Sequence, residues 1–163
     1  MVKKGLVSSL FKGVSYGLTS GVITTVGLVI GVYFSTRSYI AVIAGIISIA
    51  IADSMSDALG IHTSEESEKK TEVEKIWTAT FFTFLTKLVI TGSFLLPFIL
   101  LSIDGAFVVS LIWGVFLLTA LSYYLAKQEG VSPIGVIAEH LTIAALVIVA
   151  TYFAGIMINR YLG

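Results

Sequence analysis

A few side chains that can handle protons or hold metal ions lie inside otherwise apolar stretches of this chain. They are two carboxylates, Asp53 and Glu139, the imidazole of His140 and the amine of Lys87. A charged side chain in lipid costs roughly 2.5–3.5 kcal/mol even on the lenient insertion scale, so each one calls for an explanation. Carboxylates suit hard divalent cations, imidazole suits iron or zinc, and both groups can carry protons. These residue types indicate ion binding or proton transfer.

The same groups fall at similar depths if each stretch is a membrane helix. At 1.5 Å per residue, Asp53, Glu139 and His140 lie roughly 8–9 Å from the cytoplasmic ends of their helices, and Lys87 lies roughly 16 Å from its own. We predict an ion pathway lined by Ser20, Thr24, Asp53, Asp57, Glu139 and His140, with Lys87 as charge partner. In the alternative interpretation, Lys87 forms a structural ion pair with Asp53 or Glu139, and His140 faces the lipid headgroups.

The composition identifies the elements that must position these groups. Apolar residues make up 56% of the 163-residue chain and charged residues only 12%, whereas a soluble domain carries about 25% charged residues. A membrane helix needs about 20 apolar residues, and five stretches meet that length: residues 14–34, 38–59, 76–101, 106–126 and 134–158. The sequence predicts one all-α domain over residues 1–163, an integral membrane protein with five transmembrane helices.

Basic residues outside these stretches predict the orientation. Only Arg37 and Arg160 fall on one side, whereas the side of the N-terminus has seven lysines: Lys3, Lys4, Lys12, Lys69, Lys70, Lys75 and Lys127. By the positive-inside rule, the N-terminus lies in the cytoplasm and the C-terminus, five spans later, lies outside. The expected location is the cell membrane if the source is prokaryotic, with membrane lipid as the surrounding partner.

Two segments outside the spans carry further predictions. Residues 1–12 combine lysines with apolar residues at helical spacing, which is typical of an amphipathic helix lying in the membrane interface; a frayed tail is the alternative. Residues 60–75 predict a cytoplasmic acidic loop and an extension of the third helix, because Thr63 and Glu66 have capping-box spacing.

The same acidic segment offers a second metal hypothesis. Glu65, Glu68 and Glu72 fall on one face of the predicted extension, and His62 comes just before them. Such a face would collect metal ions weakly. The alternative is a solvated acidic first turn, which is favourable to the helix dipole.

Glycines line one face of the first span. Gly17 and Gly21, like Gly27 and Gly31, have the small-xxx-small spacing that lets two helix backbones approach closely. The neighbour is either another helix of the same chain or the same helix of a second subunit. Because five helices leave little room for a pathway within one subunit, we expect a homodimer with its seam along this face.

Other classes of function are disfavoured by what the chain lacks. A formal net charge of zero argues against nucleic-acid binding, and the absence of cysteine excludes disulfides, thiolate metal sites and cysteine nucleophiles. No arrangement of nucleophile and base indicates an enzyme. We expect no tightly bound cofactor; a metal ion would be the transported substrate.

Two motifs resemble those of the vacuolar iron transporter family. Residues 17–32, GLTSGVITTVGLVIGV, are similar to the family's first-helix pattern N-D-G-[IL]-[VI]-T-T-x-G-L-V-x-G-V. Residues 44–56, AGIISIAIADSMS, are similar to its second-helix pattern A-G-x-x-S-M-A-x-G-E-Y-x-S. Residues 94–98 and 152–155 fit its third and last helices.

The resemblance implies a homodimer of five-helix subunits that exports Fe²⁺ or Mn²⁺ from the cytosol, often by proton exchange, along a pathway between subunits. The chain departs from the family pattern at several positions. Ser20 replaces an aspartate, Ile49 replaces a methionine and Asp53 replaces a glutamate. Lys87 is an addition, and the family's glutamate-rich cytoplasmic domain shrinks to residues 60–75. A family scaffold that has lost transport and serves as a structural or partner-binding protein is therefore the alternative function.

Overall fold

The computed structural model describes residues 2–68 and 71–163, so Lys69 and Lys70 of the basic count lie outside it. The described residues form six helices: α1 (Val2–Thr36), α2 (Tyr39–Ser67), α3 (Val73–Ser93), α4 (Leu95–Leu100), α5 (Ile103–Glu129) and α6 (Pro133–Leu162). They provide five helical segments long and apolar enough to cross a membrane, the third made of α3 and α4 together. The predicted all-α, five-span architecture is confirmed, and the orientation of the termini stays a prediction.

α1 is the central helix of the bundle. It packs against α2, α3, α5 and α6, whereas α6 packs mainly on α1 and α5. Consecutive spans run in opposite directions. One end of the bundle therefore contains the starts of α1, α3 and α6 and the ends of α2 and α5, and we call it the basic end. The other end holds the α1–α2 turn and the start of α5, and we call it the distal end.

The apolar core lies towards the distal end. Val26 and Ile30 of α1 pack there with Phe94, Phe98 and Leu118, all of them buried. Large apolar side chains also cover the outside of the bundle, on α2, α5 and α6 alike. An exterior of this kind is stable in lipid and would aggregate in water.

The third span breaks where proline enters it. Pro97 has no backbone N–H and its ring excludes the carbonyl of residue 93 from the helical ladder, so α3 ends at Ser93 and α4 restarts at Leu95. The break is hydrogen-bonded: Phe94 N–H donates to the carbonyl of Thr91 at 3.1 Å, and Trp113 Nε1–H donates to Ser93 Oγ at 2.9 Å. Non-helical backbone is tolerated at this depth because it lies inside the protein.

The glycine face of α1 is occupied within the subunit, which corrects the predicted dimer seam. A Cβ on Gly17 would lie 2.6 Å from the carbonyl oxygen of Thr83 in α3, and one on Gly21 would touch Ile90. A Cβ on Gly27 would lie 3.0 Å from Val147 of α6, and one on Gly31 would make ordinary contact with Thr151, 3.8 Å away. The glycine face is therefore covered by two helices of the same chain, and Gly17 is the tightest of the four positions.

The basic end also differs from the prediction. Residues 2–12 continue α1 without a break, so they do not form a separate interfacial helix. The helical extension at the basic end belongs to α2, which runs to Ser67, while α3 begins only at Val73. Thr63 Oγ1 donates to the carbonyl of Leu59 inside α2 and caps nothing. An ion pair between Lys12 and the buried Glu65 joins α1 to α2 and favours the longer α2.

Replacing Gly17 with alanine should loosen the bundle. The added methyl group meets the backbone of α3, so we expect the free energy of unfolding to fall by about 1–3 kcal/mol, the usual range for overpacking. Gly135→Ala is the matched control, because nothing lies within 4 Å of a Cβ there. Thermal unfolding in detergent measures both, and equal stability of the two variants would contradict the close α1–α3 packing.

Candidate ion site

The candidate site is centred on Lys87 of α3, whose side chain is completely buried between α1 and α2. Its Nζ lies 2.6 Å from Asp53 Oδ2 and 2.5 Å from Asp57 Oδ2, and it donates to Ser20 Oγ at 3.0 Å. An ammonium group has three N–H donors, and these three oxygens surround it. We call these four residues the Lys87 cluster.

Helical spacing brings the four residues together. Asp53 and Asp57 lie one turn apart on α2 and point the same way, as the sequence predicted. Ser20 lies near the middle of α1, where the neighbouring glycines allow α3 to approach. The side chain of Asp53 is 32% exposed and that of Asp57 is 17% exposed, so both carboxylates are more accessible than the amine.

The cluster is not electrically balanced. With both carboxylates ionised and the amine protonated, its charge is −2 + 1 = −1. Net charge is unfavourable in a medium of low dielectric constant. The cluster therefore has the composition to accept a proton or a cation.

Buried hydroxyl groups extend the polar region along α3. Thr83 and Thr91 lie one turn to either side of Lys87, and both are completely buried. Thr91 Oγ1 and Thr25 Oγ1 are hydrogen-bonded to each other at 3.2 Å. The hydroxyls of Thr83 and of Ser54 on α2 have no partner among the described residues. Nearly all buried polar groups are hydrogen-bonded to protein or water, so the side of the cluster nearer the basic end has unused capacity to bind water or an ion.

Three residues of the predicted pathway lie elsewhere or face differently. Thr24 Oγ1 donates to the carbonyl of Ser20 at 2.9 Å and so serves its own helix. His140 Nδ1 lies 2.8 Å from Ser122 Oγ, between α5 and α6, and Glu139 is exposed on α6. α6 packs mainly on α1 and α5, so Glu139 and His140 do not join the carboxylates of α2. The pairing of Lys87 with Asp53 is found as the alternative interpretation predicted, and Asp57 is its second partner.

The proposed metal-collecting face is not formed. Glu65 is buried against Lys12, and His62 Nδ1 contacts Thr80 Oγ1 at 3.1 Å. Glu68 and Glu72 lie on either side of the α2–α3 break, and Glu72 pairs with Lys75. Within residues 2–68 and 71–163, no three His, Asp or Glu side chains lie close enough together to hold a metal ion.

No protein-family model, curated protein or solved structure matches this chain. The resemblance to vacuolar iron transporters therefore rests on its motif residues, and the function has to be argued from the Lys87 cluster.

Sequence reasoning missed a second polar cluster, at the distal end. Arg37 pairs with Asp104 at 3.2 Å, and both groups hydrogen-bond the hydroxyl of Tyr33. The guanidinium also lies 4.2 Å from the centroid of the Tyr33 ring, a cation–π distance. This cluster ties the α1–α2 turn to the start of α5. The only signal in the sequence was a charge in each of two short turns.

Removing the amine alone should be far more damaging than removing the whole charged cluster. Lys87→Met leaves two carboxylates facing each other, so we expect the free energy of unfolding to fall by about 3–5 kcal/mol, as when one partner of a buried pair is lost. Lys87→Met combined with Asp53→Asn and Asp57→Asn should recover most of that loss. Thermal unfolding in detergent makes the comparison.

The matched control is Lys127→Met, because Lys127 is exposed near the end of α5 and such surface changes alter stability little. If Lys87→Met were as stable as this control, the ion pairs of the cluster would not contribute to the fold.

Proposed function

We propose that this protein is a membrane transporter that moves a small cation in exchange for protons, with Asp53 and Asp57 as its ion-binding groups. The observation that carries the proposal is the fully buried Lys87 ammonium held by two carboxylates within membrane-spanning helices. Ionisable groups inside membrane spans are costly, and where they occur they usually mark ion pathways and proton relays. An ion pair that contributed only to stability could be replaced by apolar side chains with little loss of stability.

Charge balance suggests what is exchanged. The cluster is neutral when one carboxylate and Lys87 are both protonated. It is also neutral when one divalent cation binds the two carboxylates and Lys87 has lost its proton. These two states differ by one divalent cation against two protons. Because net charge is unfavourable in this environment, exchange of one cation for two protons is the stoichiometry that the cluster favours.

The choice of Fe²⁺ or Mn²⁺ as substrate, and of export from the cytosol, comes from the resemblance and the predicted orientation. Carboxylates and a hydroxyl, here Asp53, Asp57 and Ser20, are oxygen donors that suit hard divalent cations such as Mn²⁺. The ammonium of Lys87 repels any cation while it keeps its proton. Its proton must therefore leave when the metal ion binds, which couples the two movements.

The surroundings of the cluster support entry from the basic end. The side chain of Asp53 is one-third exposed. The unpartnered hydroxyls of Ser54 and Thr83 are buried on α2 and α3. Thr83 precedes Lys87 by about one turn, on the side of the basic end. Beyond Lys87, the hydrogen bond between Thr25 and Thr91 closes the polar region towards the apolar core.

One observation favours the alternative, a transport-inactive scaffold. The three oxygens around Lys87 match the three donors of its ammonium group, so the ammonium is fully hydrogen-bonded and holds α1, α2 and α3 together without any bound ion. In such a scaffold the extra negative charge would be cancelled by a permanently bound proton on one aspartate. Ion flux distinguishes the two functions directly.

The homodimer implied by the resemblance needs a face other than the glycines of α1. Small residues repeat at every fourth position along the exposed side of α2: Ala44, Ser48, Ala52, Ser56 and Gly60. This spacing allows close helix packing in membranes. Asp53 flanks the row, so a dimer formed along α2 would bring two Lys87 clusters to one seam. We propose α2 as the dimer face.

Flux in proteoliposomes tests the transporter. Loaded with Mn²⁺-sensitive and pH-sensitive dyes, vesicles containing the wild-type protein should take up Mn²⁺ and release about two protons per ion. Asp53→Asn should reduce the rate at least tenfold, because one ionic ligand is lost. Glu129→Gln is the control, since that carboxylate is exposed at the end of α5, and it should retain most of the rate.

Two outcomes would count against the proposal. Equal flux in wild type and Asp53→Asn would remove Asp53 from the mechanism. Absence of Mn²⁺, Fe²⁺ and proton flux from a folded wild-type protein would leave the scaffold as the function.

Cysteine cross-linking tests the dimer face. The chain has no cysteine, so Ser56→Cys introduces a single thiol on α2, and mild oxidation in membranes should give a covalent dimer on a non-reducing gel. Val149→Cys places a thiol on the exposed side of α6 and should cross-link much less. Equal cross-linking of both variants would indicate random collision and contradict the α2 face.

A further inference from the structure

A groove between α2 and α3 opens on the outside of the bundle towards the basic end, and none of the four residues of the Lys87 cluster lines it. Its volume is about 360 Å³, and its walls include Met55, Leu59, His62, Trp77, Phe81 and Phe84. We call it the His62 groove. All but one of these six side chains are apolar or aromatic, so His62 provides its distinctive polar contact.

Hydrogen bonding fixes which nitrogen of His62 is available. Thr80 Oγ1 donates its only proton to the carbonyl of Ile76 at 2.8 Å. The hydroxyl can then only accept from His62, so His62 Nδ1 carries a proton and donates it across 3.1 Å. In the neutral imidazole the other nitrogen, Nε2, has a lone pair. No described residue hydrogen-bonds to Nε2.

The groove extends along α3 from its first turns, at Trp77, to the middle of the helix, at Phe84. Trp77 is 59% exposed in the first turns of α3, and tryptophan concentrates at membrane–water interfaces. It also contacts His62 edge to face, with ring centroids 4.8 Å apart. From Trp77 to Phe84 the helix rises roughly 10 Å. A molecule in the groove would therefore have its polar end beside His62 and its apolar end between Met55 and Phe84.

We propose that the His62 groove binds a neutral amphiphile with a hydroxyl head group and a single apolar chain. The hydroxyl donates to His62 Nε2, and the chain packs along Phe81 and Phe84. A phosphodiester or an ionised carboxylate has only acceptor oxygens, which would face the Nε2 lone pair unfavourably. Thr80 is a positioning residue, because it keeps the proton on Nδ1 and thereby keeps Nε2 as an acceptor.

Fluorescence of Trp77 tests this site. The chain contains two tryptophans, so Trp113→Phe leaves Trp77 as the sole reporter. The protein in lipid nanodiscs is titrated with a monoacylglycerol brominated on its chain, and with the methyl ester of the same brominated acid, which has no donor. Bromine quenches tryptophan on contact. We expect the monoacylglycerol to reach half-maximal quenching at about tenfold lower mole fraction, the effect of about one hydrogen bond.

Two variants and one control make the result decisive. His62→Phe keeps an aromatic ring without nitrogen and should abolish the preference for the hydroxyl compound, while Thr80→Val should reduce it. With Trp77→Phe, the remaining Trp113 should be quenched equally by both compounds. Equal quenching of Trp77 by both compounds, stronger quenching by a brominated phosphatidylcholine, whose head group has no hydrogen-bond donor, or a preference that survives in His62→Phe would overturn the proposal.

Discussion

The burial of the Lys87 ammonium is the constraint on which the arrangement of α1, α2 and α3 depends. An ammonium removed from water is tolerated only where oxygen atoms replace its hydration. α2 supplies two of these oxygens and α1 supplies the third. The three helices therefore have one relative position in which the lysine is satisfied. The other half of the bundle, where α1 meets α5 and α6, is packed by apolar side chains and glycines and has no comparable requirement.

Ion pairs also connect both ends of α1 to neighbouring helices. At the basic end, Lys12 pairs with Glu65 of α2; at the distal end, Arg37 pairs with Asp104 of α5. Arg37 has a left-handed backbone with φ 51°, which is unfavourable for a side chain with a Cβ, and its contacts with Asp104 and Tyr33 offset that strain. The distal pair is exposed and weak by itself. A change in the charge of the Lys87 cluster would therefore act on α1, whose ion pair at the basic end is more buried than its ion pair at the distal end.

The sequence predicted the features that depend on local properties. Twenty apolar residues make a membrane helix whatever their neighbours, so the five spans were predictable, and the spacing of Asp53 and Asp57 placed both on one face. The neighbours of each face were not predictable, because they depend on how the helices rotate and pack. Glu139 lies within the first two turns of α6, but that helix packs mainly on α1 and α5 and not on the carboxylate-bearing α2. The capping signal at Thr63 was overridden by the tertiary pair of Lys12 and Glu65.

Two of the departures from the family motif, at positions 20 and 87, are physically one change. The resemblance implies an aspartate where this chain has Ser20, and it implies no lysine at position 87. In the structure Ser20 Oγ accepts a hydrogen bond from Lys87 Nζ at 3.0 Å. A third carboxylate at position 20 would raise the charge of the cluster from −1 to −2, whereas a serine beside an apolar residue at position 87 would leave two carboxylates with no fixed counter-charge. The serine and the lysine together replace one negative charge with a positive one. The lysine thus supplies the counter-charge that the two carboxylates of α2 would otherwise lack.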